Sequence, residues 1–415
     1  MQSFATLELI DPLLRAVSEL GYGEPTPIQV QAIPPLLAGR DVLGCAQTGT
    51  GKTAAFALPI LQHLTTQRRT TVQRKVRALV LSPTRELAAQ IAESFDTYGR
   101  NLELRTTVVF GGVSARPQAD ALSGGVDILV ATPGRLLDLA RQGLVDLRHV
   151  AHFVLDEADR MLDLGFVDDI QRVLELLPPR RQNLLFSATM PLAIGDLASS
   201  FLRDPVRVAV TPRATTVELV DQRVMYVERG NKRRLLTDLV NRGEVAQAIV
   251  FTRTRHGANR LVEQLERAGI RAAALHSDKS QGARESALDG FKSGDFPLLV
   301  ATDIAARGID VEGVSHVFNY DIPNEPENYV HRIGRTGRAG RGGVAVAFCD
   351  PSEGELLRGI EALTGRKLTV VTDHPWHCGA AIPPPTLNAR KQPAPPPRPR
   401  DYGPRKGKGA ARRRR

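Results

Sequence analysis

Ala46-Gln47-Thr48-Gly49-Thr50-Gly51-Lys52-Thr53 lies between two segments of contrasting pattern. Before it, Asp41-Val42-Leu43-Gly44-Cys45 reads as a short buried strand. After it, Ala54-Ala55-Phe56-Ala57-Leu58-Pro59-Ile60-Leu61 reads as the opening of an apolar-faced helix. Strand, glycine-rich turn and helix in that order form a phosphate-binding loop. Glycine lets backbone N–H groups turn inward around phosphate oxygens, and the helix N-terminus adds partial positive charge. Lys52 is placed to reach the β- and γ-phosphates of a nucleoside triphosphate, and the Thr53 hydroxyl to sit on Mg²⁺. One position departs from the usual pattern, which opens with Gly where this chain has Ala46.

Working outward, apolar runs alternate with helical stretches. Ala78-Leu79-Val80-Leu81 leads into Pro83-Thr84-Arg85-Glu86-Leu87, and Thr106 to Phe110 ends at Gly111-Gly112. Val126 to Val130 leads into Thr132-Pro133-Gly134-Arg135 and a further helix. Phe153-Val154-Leu155 ends at Asp156-Glu157-Ala158-Asp159, and Gln182 to Phe186 ends at Ser187-Ala188-Thr189. This alternation predicts an α/β fold with a parallel sheet flanked by helices. Ligands of such sheets bind at the carboxyl ends of strands, where every one of these polar clusters falls. Upstream, Phe4 to Leu20 has helical spacing. The turn-rich stretch from Gly21 to Gln29 follows, in which Gln29 has the donor and acceptor to read a base edge and Tyr22 can stack on it.

The pattern loosens near Asp204-Pro205, and a second alternating series begins around Gln222. Its strands end at Thr252-Arg253, His276-Ser277-Asp278 and Thr302-Asp303. It lacks a phosphate loop and carries Arg307-Gly308-Ile309-Asp310 and the run His331-Arg332-Ile333-Gly334-Arg335-Thr336-Gly337-Arg338 instead. The expected boundaries are a first domain at 1–205, a linker at 206–219, a second domain at 220–368 and a tail at 369–415.

Charge locates the tail. The 415-residue chain has 55 Lys/Arg against 45 Asp/Glu. From Ala380 onward there are eleven basic residues and one acid, which leaves 44 of each sign in the remainder. Nine of the 28 prolines also lie there, so this stretch cannot bury a core and is expected to be disordered. Such a charge density fits a polyanion-binding arm. No apolar run approaches the ~20 residues of a membrane span, and Met1-Gln2-Ser3-Phe4 opens no secretory signal. Cys45, Cys349 and Cys378 form neither a disulfide framework nor a metal knuckle, which points to a reducing, cytoplasmic setting. His374 and Trp376-His377-Cys378 lack metal-ligand spacing and read as linker.

The ordered set of motifs over Phe4 to Leu368 resembles the DEAD-box ATP-dependent RNA helicases of superfamily two, bacterial and RhlE-like in flavour, with Asp156-Glu157-Ala158-Asp159 as the naming motif. The resemblance implies two tandem RecA-like (P-loop NTPase) domains and tolerates Ala46; Ser277, where many members carry Gly, is a small departure. It implies that ATP is bound by Phe4, Tyr22, Thr26, Gln29, Ala46, Gln47, Thr48, Gly49, Thr50, Gly51, Lys52, Thr53, Gly308 and Asp310, with Mg²⁺ on Thr53 and Asp156. Lys52, Asp156, Glu157 (orienting the attacking water), Arg335 and Arg338 (arginine fingers) are the implied catalytic set. Asp159, Ser187, Ala188, Thr189 and His331 would couple the sites. RNA would lie on Pro83, Thr84, Arg85, Gly112, Thr132, Pro133 and Arg135 of the first lobe. In the second it would meet Arg253, Asp278, Gln281, Arg284, Thr302 and Asp310. These residue types suit phosphates and sugars rather than base edges. Ribosomes or RNA-degrading assemblies are the implied settings. A DNA helicase or translocase and an ATP-dependent RNA clamp or annealing protein are the competing functions.

Overall fold

The structure, a computed structural model, describes residues 3–46, 49–66, 74–210, 220–306, 311, 314–337 and 342–379. Its first sheet contains β1 (Val42–Cys45), β2 (Ala78–Leu81), β3 (Thr106–Val109), β4 (Ile128–Ala131), β5 (His152–Leu155), β6 (Gln182–Ser187) and β7 (Val206–Ala209). These run in the order β3-β4-β2-β5-β6-β1-β7. The second contains β8 (Val220–Tyr226), β9 (Ala248–Phe251), β10 (Ala272–Leu275), β11 (Leu298–Ala301), β12 (His316–Asn319), β13 (Gly343–Cys349) and β14 (Thr369–Val370). Their order is β10-β11-β9-β12-β13-β8-β14, the same as the first when the strands of each half are counted from its own start. Every pairing within the two sheets is parallel.

Helices cover both faces, so the central strands are buried throughout and read as continuous apolar runs rather than alternations. At Gly44 a Cβ would come within 2.4 Å of the Phe186 ring on the neighbouring β6, so β1 can only be packed there with glycine. Parallel pairing also delivers all strand ends of one polarity to one edge. The β1–β6–β5 neighbours bring together the turns after Cys45, Ser187 and Leu155, and the β2–β4–β3 neighbours do the same for those after Leu81, Ala131 and Val109.

Two expected boundaries move. Val206–Ala209, placed in the linker, is the seventh strand of the first sheet and pairs with β1. Thr369–Val370, placed in the tail, pairs with β8, and the chain continues as a strap along that strand. Val371 and Cys378 donate backbone hydrogen bonds to Val224 and Tyr226, both at 2.9 Å, while Val371 and Trp376 pack on the core. Residues 211–219 and 380–415, including the whole basic segment, lie outside the described residues. No helix among the described residues is long and apolar enough to cross a membrane.

The strap should therefore be needed for the second lobe to be stable. Ending the chain after Leu368 is expected to lower the melting temperature by about 5 °C or more, since each ~1 kcal/mol is worth a few degrees in a lobe of this size. Ending it after Gly379 should leave the temperature unchanged, as scanning calorimetry of the two truncations would show.

Candidate nucleotide and RNA sites

The phosphate loop is built as its residues dictate. Gly49 and Gly51 have φ of 82° and 90°, which disfavours any side chain. A Cβ on Gly51 would also lie 2.5 Å from the Gln29 amide nitrogen. Gln29 accounts for that closeness. Its carbonyl oxygen accepts from the Thr26 N–H (2.8 Å), closing a capping box on the Pro27–Leu37 helix, and its amide donates to the Gly51 carbonyl (3.2 Å). Expected as a base reader, Gln29 is thus also a brace for the loop, with one amide proton left for a ligand.

Lys52 starts the next helix and is buried. Its Nζ lies 3.8 Å from Asp156 Oδ1 and has no hydrogen-bond partner among the described residues. An ammonium left unpaired in a buried site is costly unless an anion arrives. Burial pushes the Asp156 carboxyl up to about 6 against the pull of Lys52. Burial also raises Glu157, but the Arg160 and Lys52 charges and an Arg160 hydrogen bond outweigh it and hold that carboxyl below its usual range. The Arg160–Glu157 contact is 3.0 Å and buried, and Glu157 sits in left-handed backbone at φ 51°. Arg335, buried on the second lobe, adds positive charge at Glu157 from across the cleft. The cavity in front of these groups holds about 640 Å³ and is also lined by Phe4, Tyr22, Thr26, Gln29, Gly49, Gly51 and Thr53. That is ample room for a nucleotide. An orphaned ammonium, a carboxylate and a hydroxyl side by side also suit a triphosphate with a divalent cation, with Thr53 and Asp156 as its ligands.

Asp159 ties the strand ends together. Its Oδ2 accepts from the Ala188 N–H (3.1 Å), the Thr189 N–H (2.9 Å) and the Thr189 hydroxyl (2.9 Å), while its own N–H donates to Ser187 Oγ (3.2 Å).

The β2–β4–β3 ends form a second recess of about 410 Å³ that spans both lobes, lined by Pro83, Thr84, Arg85, Thr132 and Arg135 with Ser277 and Arg284 opposite. Thr84 and Thr132 are helix N-caps, so backbone N–H groups of both helices begin at this recess. Gly112, at φ 77°, has its Cβ position 2.1 Å from the Arg85 guanidinium, so only glycine lets that side chain lie there. Arg135 donates to the Val113 carbonyl at 2.8 Å. The Arg85 guanidinium is held below its ordinary value by burial and by the charges of Arg284 and Arg135, with Glu86 opposing. Like charges gathered in a half-open recess mark a polyanion site.

The second-lobe expectations divide. Arg284 faces the recess, but its guanidinium pairs with Glu86 of the first lobe at 2.7 Å, both residues 7% exposed. Arg253 turns to its own lobe, donating to Glu353 (2.8 Å) and the Ile322 carbonyl (3.1 Å). Asp278 pairs with Arg255, Gln281 with Glu285 (3.0 Å), and Thr302 is buried. His331 is half-buried on the Pro326–Ile333 helix. Gln47, Thr48, Gly308, Asp310 and Arg338 lie outside the described residues.

Sequence reasoning missed Arg160, Glu86 and Arg332. Arg332 grips Asp303 with two nitrogens, donates to Asn319 (3.0 Å) and the Asp321 carbonyl (2.7 Å), and lies over the Phe251 ring. Its place in the basic run beside Arg335 was the available signal.

Fold and site together define a two-lobed P-loop enzyme with a polyanion groove across its lobes. Comparisons narrow the class. The DEAD/DEAH box helicase model matches residues 26–197, and the helicase conserved C-terminal domain model matches 231–340. The chain is 45% identical over 361 residues to the ATP-dependent RNA helicase CshA of Limosilactobacillus reuteri, covering 87% of this chain and 72% of that one. It is 45% identical over 369 residues to the ATP-dependent RNA helicase DeaD of Mycobacterium tuberculosis, covering 88% and 64%. Both relatives are bacterial, and their names are CshA and DeaD rather than RhlE. The chain belongs to the DEAD-box helicase family.

Among solved structures, S. cerevisiae Dbp5 bound to RNA and ADP BeF3 aligns with TM-score 0.77 at 33% identity, covering 89% of this chain and 96% of that one. A Dbp5 variant bound to Nup159, Gle1, IP6 and ADP aligns with only 0.61 at 32% identity, over 88% and 96%.

The Glu86–Arg284 pair joins the two lobes across the groove. Arg284→Ala should weaken RNA binding roughly thirtyfold in the presence of ADP–BeF3, the loss for truncating one partner of a buried charge pair. It should change binding little without nucleotide. Fluorescence anisotropy under both conditions measures this, and equal losses in the two would detach the pair from closure.

Proposed function

We propose that this chain is an RNA-stimulated ATPase and ATP-dependent RNA helicase that opens short RNA duplexes, or strips protein from RNA, by closing its lobes around both ligands. The observation that carries this reading is the paired placement of second-lobe arginines. Arg335 is near enough for its charge to help hold the Glu157 carboxyl down, and Arg284 lies in the groove among Arg85 and Arg135. The relatives' names and the RNA in the Dbp5 complex supply the choice of RNA over DNA.

In this reading the loop N–H groups and Lys52 hold the β- and γ-phosphates. Thr53 and Asp156 hold Mg²⁺, which would neutralise phosphate charge. Glu157, kept ionised by Arg160, accepts the proton of the attacking water. Arg335, with Arg338 beside it, meets charge developing on the γ-phosphate, and a planar guanidinium suits that spread. Tyr22 and Gln29 take the base. Phosphate and sugar contacts on the groove make binding independent of sequence. The eleven basic residues of 380–415 act as an auxiliary RNA arm. We place the work in the cytoplasm on ribosomal particles or RNA-degrading assemblies, which present long stretches of phosphate backbone.

Steady-state assays test the reading directly. RNA should stimulate ATP hydrolysis and DNA of the same sequence should not. Lys52→Ala should abolish turnover, and Arg335→Ala should lower kcat about a thousandfold, as for other arginine fingers. ATP consumption that is equally fast without polynucleotide would defeat it. An RNA clamp would keep its cellular role after Glu157→Gln; a helicase would lose it.

The arm has its own measurement. Each phosphate neutralised by a Lys or Arg releases counterion, so deleting 380–415 should flatten the plot of log affinity for RNA against log salt while leaving ATP affinity intact. An unchanged slope would make the segment a mere solubilising tail.

A further inference from the structure

Tyr22 sits between Gly21 and Gly23, with Gly21 at φ 75°, and its ring is 42% exposed at the mouth of the nucleotide cavity. The backbone here is fixed by the helix C-terminal turn, with the Gly21 N–H donating to the Ser18 carbonyl (2.9 Å) and the Tyr22 N–H to the Val17 carbonyl (3.2 Å), which leaves the side-chain torsions free. The ring's orientation is set by side chains instead. Phe4 lies alongside, with centroids 6.5 Å apart and planes 29° apart. Tyr98 meets it edge-on, with centroids 6.3 Å apart and planes at 61°, and the two hydroxyls are 3.4 Å apart.

Tyr98 is the last residue of the Arg85–Tyr98 helix and is 6% exposed within the first lobe's core. A Phe or Leu would fill that volume as well, so packing alone gives no reason for a phenol. A buried phenolic hydroxyl costs free energy unless it finds a partner. The Tyr98 hydroxyl meets Ser94 on its own helix and, 3.4 Å away, the Tyr22 hydroxyl at the cavity mouth. Burial and the Tyr22 contact raise the Tyr98 pKa against a Ser94 hydrogen bond that lowers it, so Tyr98 stays a protonated phenol. We infer that Tyr98 is a positioning residue for nucleotide recognition, holding the Tyr22 ring in the plane on which a purine base stacks.

This rests on reading Tyr22 as the base platform. A platform already aimed loses less rotamer freedom on binding, so the benefit appears in affinity and not in the chemical step. The same helix begins at the RNA recess with Arg85 and Glu86, and its fourteen residues span about 21 Å at the α-helical rise. The anchor of the base platform therefore stands on the element that also lines the RNA groove.

The test uses the full chain at saturating RNA. Tyr98→Phe removes only the hydroxyl and should raise KM for ATP about threefold, the scale of one modest hydrogen bond, with kcat unchanged. Tyr98→Leu also removes the ring edge and should raise KM about tenfold. ADP should weaken as an inhibitor by the same factors, while inorganic pyrophosphate, which has no base, should inhibit as in the wild type. Tyr22→Phe and the Tyr22→Phe/Tyr98→Phe double variant should match Tyr98→Phe alone in KM, because all three delete the Tyr22–Tyr98 contact. If Tyr22→Ala raises KM and Tyr98→Leu does not, the positioning role is wrong while the platform stands. A parallel loss of ADP and pyrophosphate would mean general damage to the site and would also overturn it. If Tyr22→Ala itself leaves KM unchanged, the platform reading falls.

Discussion

An ammonium without a hydrogen-bond partner among the described residues and a carboxylate pushed up to about 6 stand 3.8 Å apart past the ends of β1 and β5. Neither is comfortable when the protein is alone. Lys52 lacks acceptors among the described residues, and Asp156 has only a cation 3.8 Å away and one N–H, from Glu157 at 3.0 Å, to offset its burial. A triphosphate with a divalent cation would resolve both at once, since oxygen anions would satisfy the ammonium and the cation the carboxylate. The fold keeps the mismatch because strands on either side of β6 cannot shift without breaking both parallel ladders. Binding free energy is stored in that enforced proximity, and the rest of the architecture serves to hold it or to exploit it.

Sheet order separates the two ligands while keeping them mechanically linked. One run of three adjacent strands ends at the triphosphate cavity and the next run ends at the groove, with β2 and β5 as neighbours at the seam. Asp159 stitches the turn after β5 to the turn after β6 with three accepted hydrogen bonds on one oxygen. The second lobe repeats the same strand order without a phosphate loop and contributes guanidinium groups instead. Coupling between two such sites is reciprocal by thermodynamic necessity: whatever RNA does to ATP affinity, ATP does to RNA affinity.

What was legible in the sequence was what is local. The loop from Ala46 to Thr53 announces itself through strand, glycines and helix within about twenty residues, and the buried central strands read as unbroken apolar runs. The edge strands were not legible. Val206–Ala209 alternates partly buried and exposed positions, and Thr369–Val370 is exposed, so their membership comes from pairing with β1 and β8 and not from hydrophobicity. Glu86 was passed over because its partner is 198 residues away, a separation no periodicity encodes. Arg160 was missed for a different reason: an i,i+3 pair with Glu157 looks like an ordinary helix-surface contact until both residues turn out to be buried. Arg253 shows the converse, since a residue chosen by motif spends its guanidinium on Glu353 and a backbone carbonyl.

The second lobe's arginines can act together only if that lobe moves as one piece, and Arg332 explains how it does. Its fork holds Asp303, which follows β11, and its remaining nitrogen reaches Asn319 at the end of β12 and the Asp321 carbonyl beyond. The helix Pro326–Ile333, and with it Arg335, is thereby fastened to two strands of the sheet. β11 pairs in turn with β10, which leads to the helix carrying Arg284. A path of charge-assisted bonds, ladder pairing and chain thus links the segment of Arg335 to the helix of Arg284, which pairs with Glu86. A bidentate, buried guanidinium is stiff in a way that a single flexible contact is not. If the second lobe moves as this one piece, seating Arg284 in the groove would carry Arg335 along with it.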